Sequence, residues 1–266
     1  MDKKYMIIDS HSHIFPEKIA TKASDAIGDF YNLPMRENGS IGGLLRSGGK
    51  IGVSKYIVHS TATSVHQVRS INNFIIDAVN TYPELIGYMT LHPDMQEKEV
   101  RLELQRCMAA GLKGIKLHPD FQKFYIDEEK AHNIYRCAEG VLPILFHVGD
   151  DRYDYSHPYR LTNIALAYPQ LRCIAAHMGG YTMWELAECY KGLDNVYFDT
   201  CSSLFALTPE KAVSIINMLG VDRFFFACDY PMWDHEEELE RFLKLNLSEE
   251  QREKILSANI QKFLNI

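Results

Sequence analysis

The sequence has no run of lysine and arginine, no long apolar stretch and no pair of closely spaced cysteines. Its 266 residues carry a formal net charge of -7, so the electrostatic footprint of a nucleic-acid-binding surface is absent. No stretch is long enough to span a membrane, and the apolar segment at residues 6–8 is too short for a signal peptide. We therefore expect neither a nucleic-acid nor a membrane partner.

The six cysteines occur singly, without a Cys-x-x-Cys pair. In a chain of this length, this pattern favours reduced thiols in a cytoplasmic protein over a disulfide framework or a zinc knuckle. A linker rich in proline, glycine and serine is also missing. With 46% hydrophobic residues the chain can bury a large core, and we expect a single domain over residues 1–266.

Short apolar runs alternate regularly with longer amphipathic ones. The apolar runs predict eight strands, near residues 5–9, 55–59, 85–91, 114–117, 143–147, 172–176, 195–199 and 224–228. The stretches between them predict helices, over residues 65–82, 97–110, 127–138, 158–168, 182–191, 208–219 and 236–245. Near-continuous apolar strands are typical of sheets that helices cover. The pattern therefore predicts an α/β fold of the (β/α)8 barrel type, with a doubly wound open sheet as the alternative.

Two segments lie outside this alternation. Residues 248–264 begin with Ser-Glu-Glu-Gln, which resembles a capping box and predicts an additional C-terminal helix on the outside of the barrel. The glycine-rich residues 14–54 are too long for an ordinary loop. For them we expect the first helix and a mobile piece over the strand ends.

Residues that can bind a metal or carry a proton follow several of the apolar runs. They are Asp9, His11 and His13 after the first run, Lys116 and His118 after the fourth, His147 after the fifth, His177 after the sixth and Asp229 after the eighth. In a barrel the C-terminal ends of the strands converge on one face, where barrel active sites lie. His11 and His13 are two residues apart and share a face of the strand. Imidazole and carboxylate ligands with an open position suit a catalytic zinc site.

The motifs around these residues resemble the amidohydrolase superfamily. They are His-x-His after the first strand, FHVG after the fifth, AHMGG after the sixth and CDYP after the eighth. More narrowly they are similar to its amidohydrolase-related branch, which also holds the aminocarboxymuconate semialdehyde decarboxylase-like enzymes. The resemblance covers residues 7–231 and implies a metal-dependent (β/α)8 barrel. Ala227 and Cys228 depart from it, because many relatives have Gly-Ser or Gly-Thr there.

The resemblance also implies roles for individual residues. The metal ligands would be His11, His13, His147 and Asp229. Asp229 would in addition take a proton from the attacking water, and His177 would be a further ligand or polarise the reacting carbonyl. The cofactor would be one divalent ion, Zn²⁺ first, with Mn²⁺ and Fe²⁺ as alternatives.

Other residues are candidates for contacts with the substrate. In two-metal members of the superfamily a lysine of strand four is carboxylated and bridges the ions. Lys116 in GIKLHPD is suitably placed, but mononuclear relatives carry a similar sequence, so we treat Lys116 as a charge or substrate contact. His118, Arg152 and Trp233 are the other candidates, and a charged surface loop is the alternative for Arg152.

Three further histidines and Asp9 have simpler expected roles. We expect Asp9 to hydrogen-bond one of the two histidines after the first run. His66, His132 and His235 lie in helices or at their starts and are expected at the surface.

These features predict an enzyme. The leading hypothesis is a metal-dependent hydrolase that cleaves a C–N or C–O bond of a small molecule. The alternative is a non-oxidative decarboxylase of a small aromatic or semialdehyde carboxylic acid, and a non-catalytic barrel that retains its ligands is the third. Because related barrels often pair, a homodimer is among the oligomeric states left open.

Overall fold

Strands and helices alternate along the whole chain in the computed structural model, which describes residues 5–266. The strands are β1 (Ile7–His13), β2 (Val53–His59), β3 (Leu85–Thr90), β4 (Gly114–Leu117), β5 (Ile144–Phe146), β6 (Cys173–Ala175), β7 (Val196–Asp199) and β8 (Phe224–Phe225). The helices are α1 (Ala20–Tyr31), α2 (Ile41–Ile51), α3 (Val65–Thr81), α4 (Glu97–Ala109), α5 (Pro119–Gln122), α6 (His132–Ala138), α7 (Pro158–Ala167), α8 (Pro209–Leu219), α9 (His235–Leu243), α10 (Glu249–Glu253) and α11 (Asn259–Leu264). Short 3₁₀ turns cover Glu129–Ala131, His177–Gly179, Trp184–Tyr190 and Val221–Arg223.

The strands form one sheet of eight in chain order, from β1 to β8. Neighbouring strands from β3 to β7 pair in parallel, and Lys116 of β4 lies opposite Thr90 of β3 and Leu145 of β5. Parallel neighbours in chain order require a crossover between each pair, which the helices provide. This is the strand order of a (β/α)8 barrel, and the fold predicted from the sequence is confirmed.

The chain divides into two compact units. The first contains the residues up to Val58 together with Thr200–Ile266, and the second is His59–Asp199. The rings of Phe225 and Phe263 pack in the first unit, with their centroids 5.1 Å apart. Those of Tyr190 and Phe198 pack in the second, at 5.4 Å. Each unit thus has aromatic packing of its own.

Two predictions of secondary structure differ from the observed elements. Residues 14–54 contain two helices, α1 and α2, where the sequence predicted one helix and a mobile piece. The hydroxyl of Ser40 caps α2 by accepting a hydrogen bond from the amide of Gly43, which starts the helix in spite of its glycines. The helix predicted over residues 182–191 is the 3₁₀ helix Trp184–Tyr190. It lies between Thr182 and Gly192, both of which have positive φ.

The C-terminal segment forms the predicted additional helix. Ser248 and Gln251 make the reciprocal capping box at the start of α10, as their spacing predicts. A π-helical turn, Lys254–Ala258, joins α10 to α11, and the carbonyl of Ile255 in that turn accepts a hydrogen bond from the amide of Phe226. All six cysteines are free thiols. Within residues 5–266, none of the helices combines the length and hydropathy that a membrane span requires.

Candidate metal centre

The end of β1 holds two histidines with their side chains close together. His11 and His13 are separated by one residue on an extended strand, so both project from the same face. Their Nε2 atoms are 3.4 Å apart, and their rings are tilted by 45° to one another. Both residues are buried. The prediction that the two side chains can reach one ion is consistent with this geometry.

Asp229 lies in the turn that follows β8 and faces the same two rings. Its Oδ1 is 3.5 Å from the Nε2 of His11 and 3.5 Å from the Nε2 of His13. Its amide donates to the carbonyl of His11 over 2.9 Å, which fixes the turn against β1. The φ angle of Asp229 is 62°, in the left-handed region where aspartate is uncommon. Such strain persists where the surrounding structure determines the conformation, as it often does at functional sites.

These three donor atoms fit a divalent cation. They form a triangle with edges of 3.4, 3.5 and 3.5 Å. A tetrahedral ion with bonds of about 2.1 Å has ligand atoms separated by about 3.4 Å. Two imidazoles and a carboxylate are also ligands that zinc and similar metals accept. The end of β1 and the turn after β8 therefore provide three ligands for one ion.

Asp9 connects the backbone of these two segments. Its carboxylate accepts hydrogen bonds from the amide of His11 over 3.1 Å, the amide of Cys228 over 2.9 Å, the hydroxyl of Ser12 and the Nε2 of His235 over 3.1 Å. The sequence predicted that Asp9 would bond one of the two histidine side chains. The structure shows that it bonds the backbone of His11 instead, and that its imidazole partner comes from α9.

His235 is therefore not a surface residue, and that prediction is wrong. It is fully buried, and its Nδ1 lies 2.8 Å from the hydroxyl of Ser47 in α2. His235 is the first residue of α9, where a side chain can turn back toward the interior. Helical periodicity gives no signal for such a position, so sequence reasoning did not find it.

Two residues shortly after β7 contact the side chains that form the triangle. The Sγ of Cys201 is 3.5 Å from the Nδ1 of His11. When Nε2 is the ligand atom of a histidine, Nδ1 carries the proton and needs an acceptor. The sulfur of Cys201 is placed to be that acceptor for His11. The hydroxyl of Ser202 donates to Oδ2 of Asp229. No sequence motif marked Cys201 or Ser202.

His147 and His177 form a pair in the second unit. The Nδ1 of His147 is 2.9 Å from the Nε2 of His177, and its Nε2 is 2.9 Å from the carbonyl oxygen of Gly149. Because a carbonyl only accepts, Nε2 of His147 carries the proton and Nδ1 accepts from His177. Nδ1 is therefore the atom through which His147 could act as a ligand.

The backbone of His177 is held in an unusual conformation. Its φ is 61°, its amide donates to Oδ1 of Asp199 over 2.7 Å, and its carbonyl accepts from Nε1 of Trp184 over 3.0 Å. These bonds from neighbouring elements compensate for the left-handed backbone. They place the ring of His177 against His147.

His118 and Asp120 lie beside His147. The ring of His118 stacks between Phe121, at 3.7 Å, and His147, at 4.0 Å. Burial raises the pKa of Asp120 to about 7, although the hydrogen bond from Ser156 opposes this. Ligand atoms of His118, Asp120 and His147 lie within 4.8 Å of one another, but the rings of His118 and His147 are stacked and parallel within 6°, so the in-plane lone pairs of the two rings do not converge. We therefore assign no second ion to this group.

Lys116 and Arg152 are predicted substrate contacts in the second unit. Lys116 is fully buried on β4. Arg152 points both arms of its guanidinium at the buried Asp150, with Nε at 2.9 Å and Nη2 at 2.7 Å from the two carboxylate oxygens. A bidentate pair of this kind uses the geometry that would otherwise clamp a carboxylate ligand. To clamp a substrate carboxylate, Arg152 would therefore have to release Asp150.

Trp233, the last predicted contact, belongs to the first unit. Its Nε1 donates to the hydroxyl of Ser202 over 2.9 Å. Its ring stacks on Phe205 at 4.7 Å, and the guanidinium of Arg241 lies 4.9 Å from its centroid. The first unit thus brings together three predicted metal ligands and Trp233. The second unit holds the other predicted residues, which are Lys116, His118, His147, Arg152 and His177.

The amidohydrolase family profile matches residues 8–266 of the chain. No curated protein matches the sequence. Among solved structures, a TIM-barrel protein from Bordetella bronchiseptica covers 98% of this chain and is covered over 98% of its own, with a TM-score of 0.80 at 18% identity.

Several of the similar structures are named as decarboxylases. A dihydroxybenzoic acid decarboxylase from Polaromonas sp. JS666, with bound manganese and the inhibitor 2-nitroresorcinol, has a TM-score of 0.78 at 18% identity over 98% of this chain and 97% of that one. A 5-carboxyvanillate decarboxylase from Sphingomonas paucimobilis has a TM-score of 0.74 at 14% identity over 98% of this chain and 99% of that one. At these identities the likeness shows the fold.

Proposed function

Because the chain belongs to the amidohydrolase family, we propose that it is a metal-dependent enzyme that decarboxylates a small hydroxylated aromatic acid without an oxidant. The observation that carries this proposal is the buried triangle of His11, His13 and Asp229, whose edges fit one divalent ion. It lies at the end of a barrel strand, where barrel enzymes have their active sites.

The choice of decarboxylation is supported by the named activities of the similar structures. Dihydroxybenzoic acid and 5-carboxyvanillate, after which two of these enzymes are named, are both hydroxylated benzoates. They favour the activity that the sequence left as the alternative. Hydrolysis, the first activity predicted from the sequence, has no comparable support and becomes the competing outcome of the test.

A divalent ion in this site would orient the oxygen atoms of a substrate and stabilise their negative charge. His11, His13 and Asp229 would hold it, and we propose His147 as the fourth ligand. His147 belongs to the second unit, so the FHVG motif is the basis for this assignment. We propose one ion, zinc or manganese, and the manganese in the dihydroxybenzoic acid decarboxylase makes manganese the first to test.

Decarboxylation needs a proton for the ring carbon that loses carbon dioxide. We assign its delivery to Asp229, the carboxylate of the triangle, which would first take up this proton from water, since a positioned acid contributes about 10²- to 10⁴-fold to such steps. His177 is assigned to hydrogen-bond the substrate carboxylate. In the absence of an ion, its Nε2 proton is donated to Nδ1 of His147, and that proton would become available to the substrate when Nδ1 binds the ion. Lys116, His118 and Arg152 stay proposals as contacts with the substrate anion.

The test is turnover of hydroxylated benzoates by the manganese-loaded protein. We expect 2,6-dihydroxybenzoate or 5-carboxyvanillate to lose one equivalent of carbon dioxide. We expect Asp229→Asn to lower kcat at least about 100-fold, whereas the exposed His66→Ala retains wild-type turnover. Carbon dioxide release is followed with carboxyl-labelled substrate, and metal content is measured for each variant. Turnover of an amide, lactone or cyclic imide, with no release from any aromatic acid, would refute decarboxylation in favour of hydrolysis.

A further inference from the structure

We propose that Ser202 and Trp233 form a positioning pair that holds Asp229 with Oδ1 directed at the metal. This inference rests on the metal centre proposed above, and it assigns Trp233 a role other than the substrate contact predicted from the sequence. All three residues belong to the first unit.

The direction of the hydrogen bonds follows from the chemistry of the three groups. An indole nitrogen only donates, so the oxygen of Ser202 accepts the proton of Trp233 over 2.9 Å. The hydroxyl proton of Ser202 is then free to point in the other direction, toward Oδ2 of Asp229. The indole therefore leaves the serine to act as a donor. Of the two acceptors within its reach, the carboxylate of Asp229 is stronger than the thioether sulfur of Met232, which lies 3.7 Å away.

The two oxygens of Asp229 consequently have separate partners. Oδ2 accepts from Ser202, whereas Oδ1 faces the Nε2 atoms of His11 and His13 at 3.5 Å. The hydrogen bond from Ser202 engages Oδ2 and makes it a weaker ligand than Oδ1, the oxygen that faces the two histidines. We infer that Ser202 makes Asp229 a monodentate ligand.

The backbone supports the same arrangement. Ser202 has a φ of 47° and Asp229 a φ of 62°, so both side chains are carried by left-handed residues. The segments before them are tied together, because the amide of Thr200 donates to the carbonyl of Phe225 over 3.1 Å and the hydroxyl of Thr200 accepts from the amide of Ala227 over 3.2 Å. The serine and the aspartate are thereby held in register.

Trp233 is fixed by its own neighbours. Its ring stacks on Phe205, and Arg241 lies over it while donating to the buried Glu238 over 2.6 Å. A side chain held in this way can orient Ser202 without rotating.

The test is Co²⁺ binding by the full-length chain, followed by visible absorption in competition with a chelator. We expect Ser202→Ala to raise the dissociation constant about tenfold. The absorption spectrum should also change, because both oxygens of Asp229 become available to the ion. Trp233→Phe keeps an aromatic ring but loses the donor, and we expect it to raise the constant about threefold. Ser203→Ala is the matched control. It removes a neighbouring buried hydroxyl that bonds the carbonyl of Cys201, and it should leave both readouts unchanged.

The double variant separates a positioning pair from two independent effects. If Trp233 acts through Ser202, the double variant Ser202→Ala/Trp233→Phe binds Co²⁺ as Ser202→Ala does. The proposal is overturned if Trp233→Phe weakens binding further in that background, if Ser202→Ala binds as wild type, or if Ser203→Ala shifts binding equally. Should Ser202→Ala fail to fold in thermal unfolding, Ser202→Gly replaces it, since glycine accepts the positive φ and also lacks the hydroxyl.

Wild-type binding distinguishes the failure of this inference from that of the proposed function. A chain that binds Co²⁺ but releases no carbon dioxide from any aromatic acid refutes the proposed activity and leaves the positioning pair standing. A wild-type chain that binds neither Co²⁺, Mn²⁺ nor Zn²⁺ refutes both.

Discussion

Asp9 illustrates how one buried residue organises the ligand-bearing segments of this protein. Its two oxygens accept from the backbone of β1, from the backbone next to Asp229, and from the side chains of Ser12 and His235. A buried carboxylate is tolerated only when such donors surround it. Within residues 5–266, the imidazole of His235 is the side-chain donor to Asp9 that a distant part of the sequence supplies.

We expect His235→Ala to destabilise the protein by about 2 kcal/mol, because a hydrogen bond to a buried carboxylate is lost and Asp9 keeps fewer donors. Metal content should fall as well, since Asp9 binds the amide next to Asp229. Denaturant unfolding and elemental analysis measure the two effects. His66→Ala, which removes an exposed imidazole of α3, is the control. Equal stability of the two variants would show that the bond to Asp9 contributes little.

The candidate site was predicted from the sequence only where residue type and position coincide. His11, His13 and Asp229 follow apolar runs that form strands. Their residue types indicate metal ligands, and their positions indicate the active-site end of the barrel, so both features select the same residues. His235 and Ser202 lie at the start of a helix and in a tight turn. Their roles depend on hydrogen bonds between segments about 27 and 226 residues apart, and no local periodicity encodes such contacts.

At the scale of elements, α2 shows how small residues allow a helix to approach the sheet. A Cβ at Gly48 would overlap the hydroxyl of the buried Tyr56 in β2 and lie 2.7 Å from its Cζ. Gly49, one residue further along the same helix, has nothing within 4 Å of the corresponding position. Close packing against Tyr56 therefore requires glycine at position 48, whereas the space at position 49 would accept a larger residue.

We expect Gly48→Ala to destabilise the protein by at least about 2 kcal/mol, because Tyr56 is enclosed and overpacking forces the helix away from the strand. Gly49→Ala should stabilise it by about 0.5–1 kcal/mol, because alanine loses less backbone entropy in a helix. The free energy of unfolding of each variant against wild type provides the test, and each variant is the other's matched control. Opposite signs support the close approach of α2 to β2, whereas two stabilising changes would refute it.

Elements with strong apolar runs were predicted well, and those set by long-range contacts were not. β4 was predicted with its observed limits, Gly114–Leu117, because glycine and the following loop bound a short apolar run. β8 has only two residues, since its backbone then turns to carry Asp229. The glycines of α2 predict irregular structure locally, and packing against Tyr56 overrides that preference.

For the molecule as a whole, the buried acidic groups determine how stability depends on pH. Glu238 in α9 is fully buried, and its Oε1 has no hydrogen-bond partner within residues 5–266. Burial raises the pKa of Glu238 from its ordinary value of 4.5 to about 8. The charges of Asp229 and Asp9 act in the same direction, and the hydrogen bond and charge of Arg241 oppose them.

A raised carboxyl pKa makes the folded state hold a proton that the unfolded state releases. Below about pH 4.5 both states are protonated, and the contribution of neutral Glu238 to stability is complete. Between pH 4.5 and about 8 only the unfolded state loses the proton, so this contribution falls as the pH rises. Above pH 8 both states are ionised and the contribution no longer changes.

We therefore expect the wild type to lose more stability between pH 5 and pH 8 than Glu238→Gln, which keeps the shape but cannot ionise. The stability lost between these two pH values should be larger for the wild type by more than about 1.4 kcal/mol, the free energy that corresponds to a tenfold change in proton affinity. Denaturant unfolding at the two pH values, with a chelator present so that metal does not contribute, measures it. The exposed Glu240→Gln should keep the wild-type slope. If Glu238→Gln keeps that slope too, Glu238 is ionised across the range and its ion pair with Arg241 outweighs its burial.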